Sequence, residues 1–221
     1  MRHLRFYIPL LSLVACCAPF ARAQSSASFM VGFGTAHNGA NGGGIDDSTF
    51  AFCTPGTVTS SGGNCLANPS LGGFFLGFGG DVMLFKHIGI GGEIQTQPAR
   101  GTYGPLEYRQ TFYDVNAIFA PVNNKRVRFE LQGGIGGART SFAINQSYCV
   151  GTAVCSSETV SVGNANHFQA HFGAGLSLFV TEHIFVRPQF DLRIVPGFTD
   201  QFNSTVVPAG TVWVGYNFGE R

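Results

Sequence analysis

Eight stretches of the chain alternate, residue by residue, between apolar side chains and polar residues or glycine. A period of two is the period of a β-strand, in which successive side chains point to opposite faces. A helical period fits none of these stretches, and glycine at this density would cost a helix about 1 kcal/mol per residue. In the last stretch the apolar side carries Val212, Val214, Tyr216 and Phe218. The chain is therefore predicted to be all-β.

The links between the stretches alternate strictly between short and long. The short links are residues 85–87, 121–125 and 180–183, and the long links are residues 37–71, 97–108, 140–164 and 195–205. This pattern is typical of a barrel that crosses a membrane, with tight turns on one side and long loops on the other. We therefore predict an eight-stranded antiparallel up-and-down transmembrane β-barrel after an N-terminal signal peptide.

The main alternative is a soluble lipocalin-like binding protein, in which the apolar face would fill the interior. Two features favour the membrane barrel over it. Glycine is frequent on the polar face, which suits a narrow and crowded lumen, and phenylalanine and isoleucine dominate the apolar face, which suits lipid. Composition agrees, since the chain has 31 glycines, 22 phenylalanines and only 11% charged residues.

The N-terminus has the three parts of a secretory signal. Residues 1–5 are basic, residues 6–20 form an apolar run, and Ala21-Arg22-Ala23 is a small-residue cleavage site. The predicted domains are a signal peptide at 1–23 and an outer-membrane β-barrel at 24–221. An alternative is lipoprotein processing before Cys16. Without the three leader arginines the chain has ten basic and twelve acidic residues, a balance that does not attract nucleic acid.

The C-terminal strand ends on aromatic residues. Tyr216 and Phe218 resemble the C-terminal sorting signal of bacterial outer-membrane proteins, although three residues follow Phe218. From Ser26 to Phe218 the chain resembles the OmpA-like small outer-membrane β-barrels. The resemblance implies a place in the bacterial outer membrane, contact with its lipid, and recognition of the terminal strand by the barrel assembly machinery.

Eight charged residues lie on the polar faces of the strands. They are Asp81, Glu93, Asp114, Arg128, Glu130, Arg187, Asp191 and Arg193. An eight-stranded barrel is only just wide enough for its own side chains, and an unpaired buried charge costs several kcal/mol. We expect these residues to form packed ion pairs that close the lumen. The alternative is a narrow pore for small solutes.

No arrangement of residues predicts catalysis, a cofactor or a metal. His167 and His171 would stand about 13 Å apart on a strand and could not share one ion. The glycine-rich runs do not lead into helices, and no nucleophile elbow occurs. We therefore expect a non-enzymatic protein, with a lipid A-modifying enzyme as the alternative. A binding function for an extracellular surface ligand, such as adhesion, would belong to the loops, and the first loop is expected to need no fixed fold of its own.

Four cysteines remain after cleavage of the leader, all in the two longest links. Three pairings are possible, and we predict Cys53 with Cys65 and Cys149 with Cys155, because closing a short segment costs less chain entropy. Zinc binding is the alternative, but neither pair has the spacing of a zinc site. One backbone irregularity is also expected: Pro188 lies within a strand and should cause a bulge.

Overall fold

A computed structural model describes residues 26–150 and 154–219, which form twelve strands and one short 3-10 helix. The strands are β1 (Ser26–Ala36), β2 (Gly44–Asp46), β3 (Phe52–Cys53), β4 (Cys65–Ala67), β5 (Phe74–Met83), β6 (Ile88–Thr96), β7 (Gly101–Tyr103), β8 (Leu106–Asn123), β9 (Val127–Val150), β10 (Val154–Phe179), β11 (Ile184–Ile194) and β12 (Val206–Phe218). The 3-10 helix is Phe198–Asp200. The predicted signal peptide lies outside the described residues.

Eight of the strands form a closed antiparallel wall. Their order is β6, β5, β1, β12, β11, β10, β9 and β8, and pairing of β6 with β8 completes the circle. The terminal strands meet along ten residue pairs, from Ala27 opposite Phe218 to Ala36 opposite Ala209. The predicted eight-stranded up-and-down barrel is confirmed. We call the end with the tight turns the turn end and the opposite end the loop end.

The two faces of the wall are those predicted from the alternation. The outward face is apolar and exposed, as at Phe29, Phe78, Ile90, Val115, Ile135, Phe168, Phe190, Val214, Tyr216 and Phe218. The inward face is buried and carries the charges. A soluble lipocalin would have the reverse arrangement, so this alternative is wrong. Among the described residues no helix is long and apolar enough to cross a membrane.

The third long link is a β-hairpin, which corrects the prediction of a loop at residues 140–164. Strand β9 continues to Val150 and β10 begins at Val154, and the two stay paired over this length. The hairpin is rich in threonine and valine, which favour strands. Alternation did not reveal it because above the rim both faces of β10 are largely exposed and carry mixed residues.

The first long link also has a fold of its own, against expectation. Strands β3, β2 and β4 form a small sheet, and a disulfide joins Cys53 to Cys65. Asp46 organises this sheet through its carboxylate, which accepts hydrogen bonds from Ser48 and Ser61. The Ser61 hydroxyl, helped by neighbouring hydroxyl and backbone donors, holds the pKa of Asp46 well below its usual range. We call the segment 44–67 the head sheet.

The bulge expected at Pro188 is absent. Pro188 pairs with Val212 in an unbroken register, and the pairing of β10 with β11 shows no shift on either side of it. The register shifts instead between Phe119 and Val122, next to Pro121, and between Ser161 and Gly163. A proline fits without a bulge because the β-ladder to β10 is interrupted at this point: the paired rows stop at Gly175 and resume at Leu178.

Candidate functional site in the lumen and at the mouth

All eight charged residues singled out in the sequence lie inside the barrel and are buried. They come from five wall strands: Asp81 from β5, Glu93 from β6, Asp114 from β8, Arg128 and Glu130 from β9, and Arg187, Asp191 and Arg193 from β11. Each stands on the inward parity of its strand, which is why distant segments of the chain bring their charges to one place.

Arg187 is the centre of this network. Its Nη1 donates to Glu130 Oε2 at 2.8 Å and its Nη2 to Glu93 Oε1 at 2.9 Å. Asp81 Oδ2 lies 3.6 Å from Arg187 Nη1 and 3.2 Å from Arg128 Nη2, and Arg128 also donates to Glu130. Two guanidinium groups thus bind three carboxylates, and all five side chains are buried, so each charge depends on its partners.

Neutral side chains connect this centre to the remaining acids. Gln189 donates to Glu93 at 3.0 Å and to Asp191 at 2.8 Å. His171 Nε2 lies 3.0 Å from Asp191 Oδ1, and its Nδ1 lies 2.8 Å from Asn116 Oδ1. Both ring nitrogens therefore face oxygen acceptors, the geometry of a doubly protonated imidazole. His171 contributes to the charge balance of the lumen rather than to a metal site.

Asp114 completes the network on β8. It accepts hydrogen bonds from Asn116 and, at 3.2 Å, from Gln169. The amides and His171 were not included among the charged residues predicted for the lumen, although they share the inward parity of their strands. Their inward parity is the sequence feature from which their place in the lumen can be predicted.

Arg193 differs from the other two lumenal arginines. Its guanidinium has no hydrogen-bond partner among the described residues, and its nearest carboxylate oxygen, Asp191 Oδ2, is 3.7 Å away. The guanidinium lies over the Phe112 ring, 4.9 Å from the centroid. Arg193 is therefore held by a cation–π contact beneath the aromatic residues at the loop end.

An aromatic layer closes the loop end of the lumen. It consists of Phe75, Tyr103, Tyr108, Phe112, Phe198 and Phe202, and we call it the aromatic roof. Its rings contact one another in stacked, edge and tilted arrangements, for example Phe198 and Phe202, which are tilted with centroids 4.8 Å apart. Burial raises the pKa of Tyr103 to about 12, and its hydroxyl donates to the Gln201 carbonyl at 2.7 Å. Beneath the roof, the eight charged residues of the lumen are all buried.

Two smaller apolar clusters fill the lower lumen. One contains Met30, Phe185 and Trp213, and the other Met83, Ile118 and Ala120. Trp213 fits because the facing residues are glycines: a Cβ on Gly32 or Gly77 would come within 2.6 Å of the indole ring. The glycines on the polar face thus make room for large side chains, as expected from the sequence.

Above the roof, the mouth of the barrel holds an open cleft of about 780 Å³. Its walls come from the head sheet, the β7–β8 hairpin, β9, β10 and the end of the 3-10 helix. The lining residues are Ile45, Phe50, Phe52, Tyr103, Leu106, Phe142, Val162, Gly163, Asn164, Ala165, Asp200 and Gln201. Asp200 is the one charged residue among them. We call this feature the mouth cleft.

The histidine pair does not form a site. His171 belongs to the lumen network, whereas His167 Nε2 lies 2.9 Å from Gln201 Oε1 at the loop end. Within the described parts of the chain no three histidine, cysteine, aspartate or glutamate residues are placed to hold a metal ion. The side chains of Cys149 and Cys155 lie outside the described residues, but the backbone register sets these two residues directly opposite each other.

A closed eight-stranded wall with an apolar exterior, a polar interior and strictly alternating short and long connections decides the fold. It is the fold expected from the sequence, an eight-stranded antiparallel up-and-down β-barrel with the face arrangement of small outer-membrane barrels. No protein-family model matches the chain, and no curated protein matches it by sequence.

Several solved outer-membrane barrels are similar in structure. The attachment invasion locus protein Ail of Yersinia pestis, solved with the heparin analogue sucrose octasulfate, is 12% identical, with 88% of this chain and 99% of Ail covered and a TM-score of 0.47. Neisserial surface protein A is 12% identical over 89% and 97% of the two chains, with a TM-score of 0.49. The N-terminal barrel of Pseudomonas aeruginosa OprF is 14% identical over 89% and 98%, with a TM-score of 0.45.

Proposed function

We propose that this chain is a non-enzymatic outer-membrane barrel with a closed lumen, which adds a rigid wall to the envelope and binds a ligand at the cell surface through its folded loops. The observation that supports this most strongly is the contrast between the closed lumen and the open mouth cleft above it. Every lumenal charge is buried beneath the aromatic roof, whereas the mouth cleft directly above the roof is open. Chemistry or transport would need access to the lumen, and binding needs only the mouth.

Membrane insertion in this proposal follows from the two termini. Residues 1–23 act as a cleaved signal peptide, and the strand ending in Tyr216 and Phe218 is recognised by the barrel assembly machinery. Both aromatic side chains stand on the outward face, where they would meet lipid at the turn end. Cell fractionation with a gel of unboiled and boiled samples tests this part. We expect a heat-modifiable band in the outer-membrane fraction and a mature N-terminus at Gln24; recovery of the protein from the medium would contradict it.

The mouth cleft does not suit a polyanionic ligand. Among the described residues that line the cleft, Asp200 carries the one charge and it is negative, so a sulfated sugar would meet repulsion rather than charge pairing. An apolar or cationic surface group fits better.

Surface binding is tested with cells that display the barrel. One variant replaces residues 144–162 of the hairpin with a short turn, and the intact protein is its matched control once both show the same heat-modifiable band. Binding is measured on arrays of immobilised peptides and polysaccharides. We expect the intact barrel to bind at least one array member and the shortened one to lose it. Equal binding by both, or by neither, would contradict a surface function of these loops.

A further inference from the structure

The hairpin above the rim has an unpaired backbone edge. Residues 159–165 of β10 pair with β9 on one side, and in the described parts of the chain no strand pairs with their other side, because β11 joins β10 only from Ala170 onward. Backbone N–H and C=O groups at such an edge are a template for another strand. A β-bulge at Val162 shifts the register here, and bulges are over-represented at sheet edges and at the rims of barrels.

The same residues form one wall of the mouth cleft. Gly163 stands opposite Phe142, whose ring lies 5.2 Å from that of Tyr103 in the aromatic roof, so this face of β10 points to the mouth. Gly163 and Ala165 are small and leave the space beside them open. Across the cleft stands Phe52, whose side chain is 83% exposed although it is aromatic.

The free backbone edge of β10 and the open cleft lie side by side, and together they favour an extended peptide as the ligand. A strand added to the free edge of β10 continues the sheet over the 3-10 helix, and every second side chain of that strand points to the same side as Gly163 and Ala165. A large apolar side chain at such a position enters the cleft, between Phe52 and the roof. A small molecule could fill the cleft but would leave the edge unpaired.

We propose that β10 and the mouth cleft together bind an extended polypeptide segment, which adds as a strand to residues 159–165 and inserts a large apolar side chain into the cleft. This rests on the proposed surface-binding function and names the class of its partner. Asp200 favours a segment with a basic residue beside the apolar one.

A second copy of this chain fits the site less well than a foreign segment. Two barrels in one membrane are related by an axis along the membrane normal, so their β10 edges would run parallel. The hairpin of each copy is also fixed to the wall of its own barrel, which keeps it away from the mouth cleft of the other copy. A free segment has no such restriction and can pair antiparallel.

The test uses the full-length folded barrel, one per lipid nanodisc, and the peptide acetyl-Thr-Thr-Val-Lys-Phe-Lys-Val-Thr-Thr-amide, which has lysine on both sides of its phenylalanine. Two further versions of the peptide carry N-methyl groups on alternate residues, one version at the odd positions and the other at the even positions. Each pattern removes the donors from one edge of the peptide and leaves its side chains intact. With the phenylalanine in the cleft only one edge faces β10, so we expect one methylated peptide to lose binding and the other to keep it.

The protein variant that tests the cleft is Phe52→Ala. Its matched control is Val58→Ala, in the same segment and 77% exposed, but outside the cleft lining. Loss of a buried phenylalanine contact should weaken peptide binding about tenfold or more in Phe52→Ala, with no change in Val58→Ala. Heat-modifiability gels verify that both variants are folded.

Other results would overturn the proposal. No peptide binding, equal effects of the two methylation patterns, unchanged binding by Phe52→Ala, or a dimer cross-linked through β10 edges each contradict strand addition by a foreign segment. If polysaccharides still bind the intact barrel and not the shortened one, the proposed surface function stands and only its partner class is wrong. If the shortened barrel binds equally well, the surface function itself fails.

Discussion

Arg187 shows how much of the lumen depends on single residues. Its inward position follows from the period-two pattern, and so does the burial of all its carboxylate partners. The identity of those partners does not follow, since Glu93 and Glu130 come from β6 and β9, and only closure of the barrel sets them beside β11. The period-two pattern therefore predicts which residues face the lumen, but it does not predict which of them form hydrogen bonds with one another.

Replacement of Arg187 by methionine should be among the most destabilising single changes in the barrel. It leaves Glu93 and Glu130 buried without their shared donor, at a cost of about 3–5 kcal/mol in the free energy of unfolding. Arg193→Met is the matched control, because Arg193 makes no hydrogen bond among the described residues and should cost at most about 2 kcal/mol. Urea titration in detergent, followed by the heat-modifiable band, measures both. Equal losses would show that the bonds of Arg187 are not what stabilises the lumen.

Glycine packing against Trp213 gives a second residue-scale prediction. A methyl group on Gly77 would lie 2.6 Å from the indole, whereas one on Gly133 would meet no atom within 4 Å. Gly77→Ala should therefore lower the free energy of unfolding by about 1–3 kcal/mol, and Gly133→Ala should change it far less. The same urea titration compares them. A Gly77→Ala barrel as stable as the Gly133→Ala control would mean that the indole can move aside.

At the scale of elements, alternation predicted the wall strands and their faces but not the structure above the rim. The wall has an exposed apolar face on one side and the packed lumen on the other, so its sequence must alternate. The hairpin of β9 and β10 and the head sheet stand above the wall, where water can reach both faces, and no such constraint acts on them. Their folds depend on local bonds, among them those of Asp46 and the Cys53–Cys65 bridge.

Reduction of the Cys53–Cys65 disulfide should affect the head sheet alone. The bridge joins two cysteines twelve positions apart and contributes about 2–3 kcal/mol to the stability of the segment between them by limiting the unfolded chain. We expect reduction to leave the heat-modifiable band unchanged and to expose residues 47–64 to protease. A loss of the folded band on reduction would show instead that the barrel depends on the head sheet.

The head sheet should also resist acid. The pKa of Asp46 is depressed in the folded state, so its contribution is present above the usual value of 3.8 and is lost only as the pH falls through the much lower folded value. Protease protection of residues 47–64 should therefore persist from pH 7 down to about pH 3. Asp46→Ala should lack this protection at every pH, while Asp47→Ala, at an exposed neighbour, should weaken it less. Loss of protection near pH 4 in the intact protein would contradict the bonding described for Asp46.

At the scale of the whole molecule, the barrel separates a closed interior from an open mouth. Residues from six wall strands meet in one hydrogen-bonded network, the aromatic roof covers it, and Trp213 fills the space beside Arg187. A closed lumen was expected from the sequence, because an eight-stranded wall is only just wide enough for its own side chains. What closes it is the bulk of particular side chains, which becomes visible only when all eight strands are in place.

Single-channel recording of the purified barrel in a planar lipid bilayer tests this claim most directly. The packed network predicts no stable openings at moderate voltage, in protein verified as folded by its heat-modifiable band. A comparison variant removes two large side chains from the lumen, through Trp213→Gly together with Phe112→Ala. Channel openings are expected to be more frequent in this variant than in the unmodified protein. Stable openings of appreciable conductance in the unmodified protein would contradict the closed lumen and would favour a narrow pore.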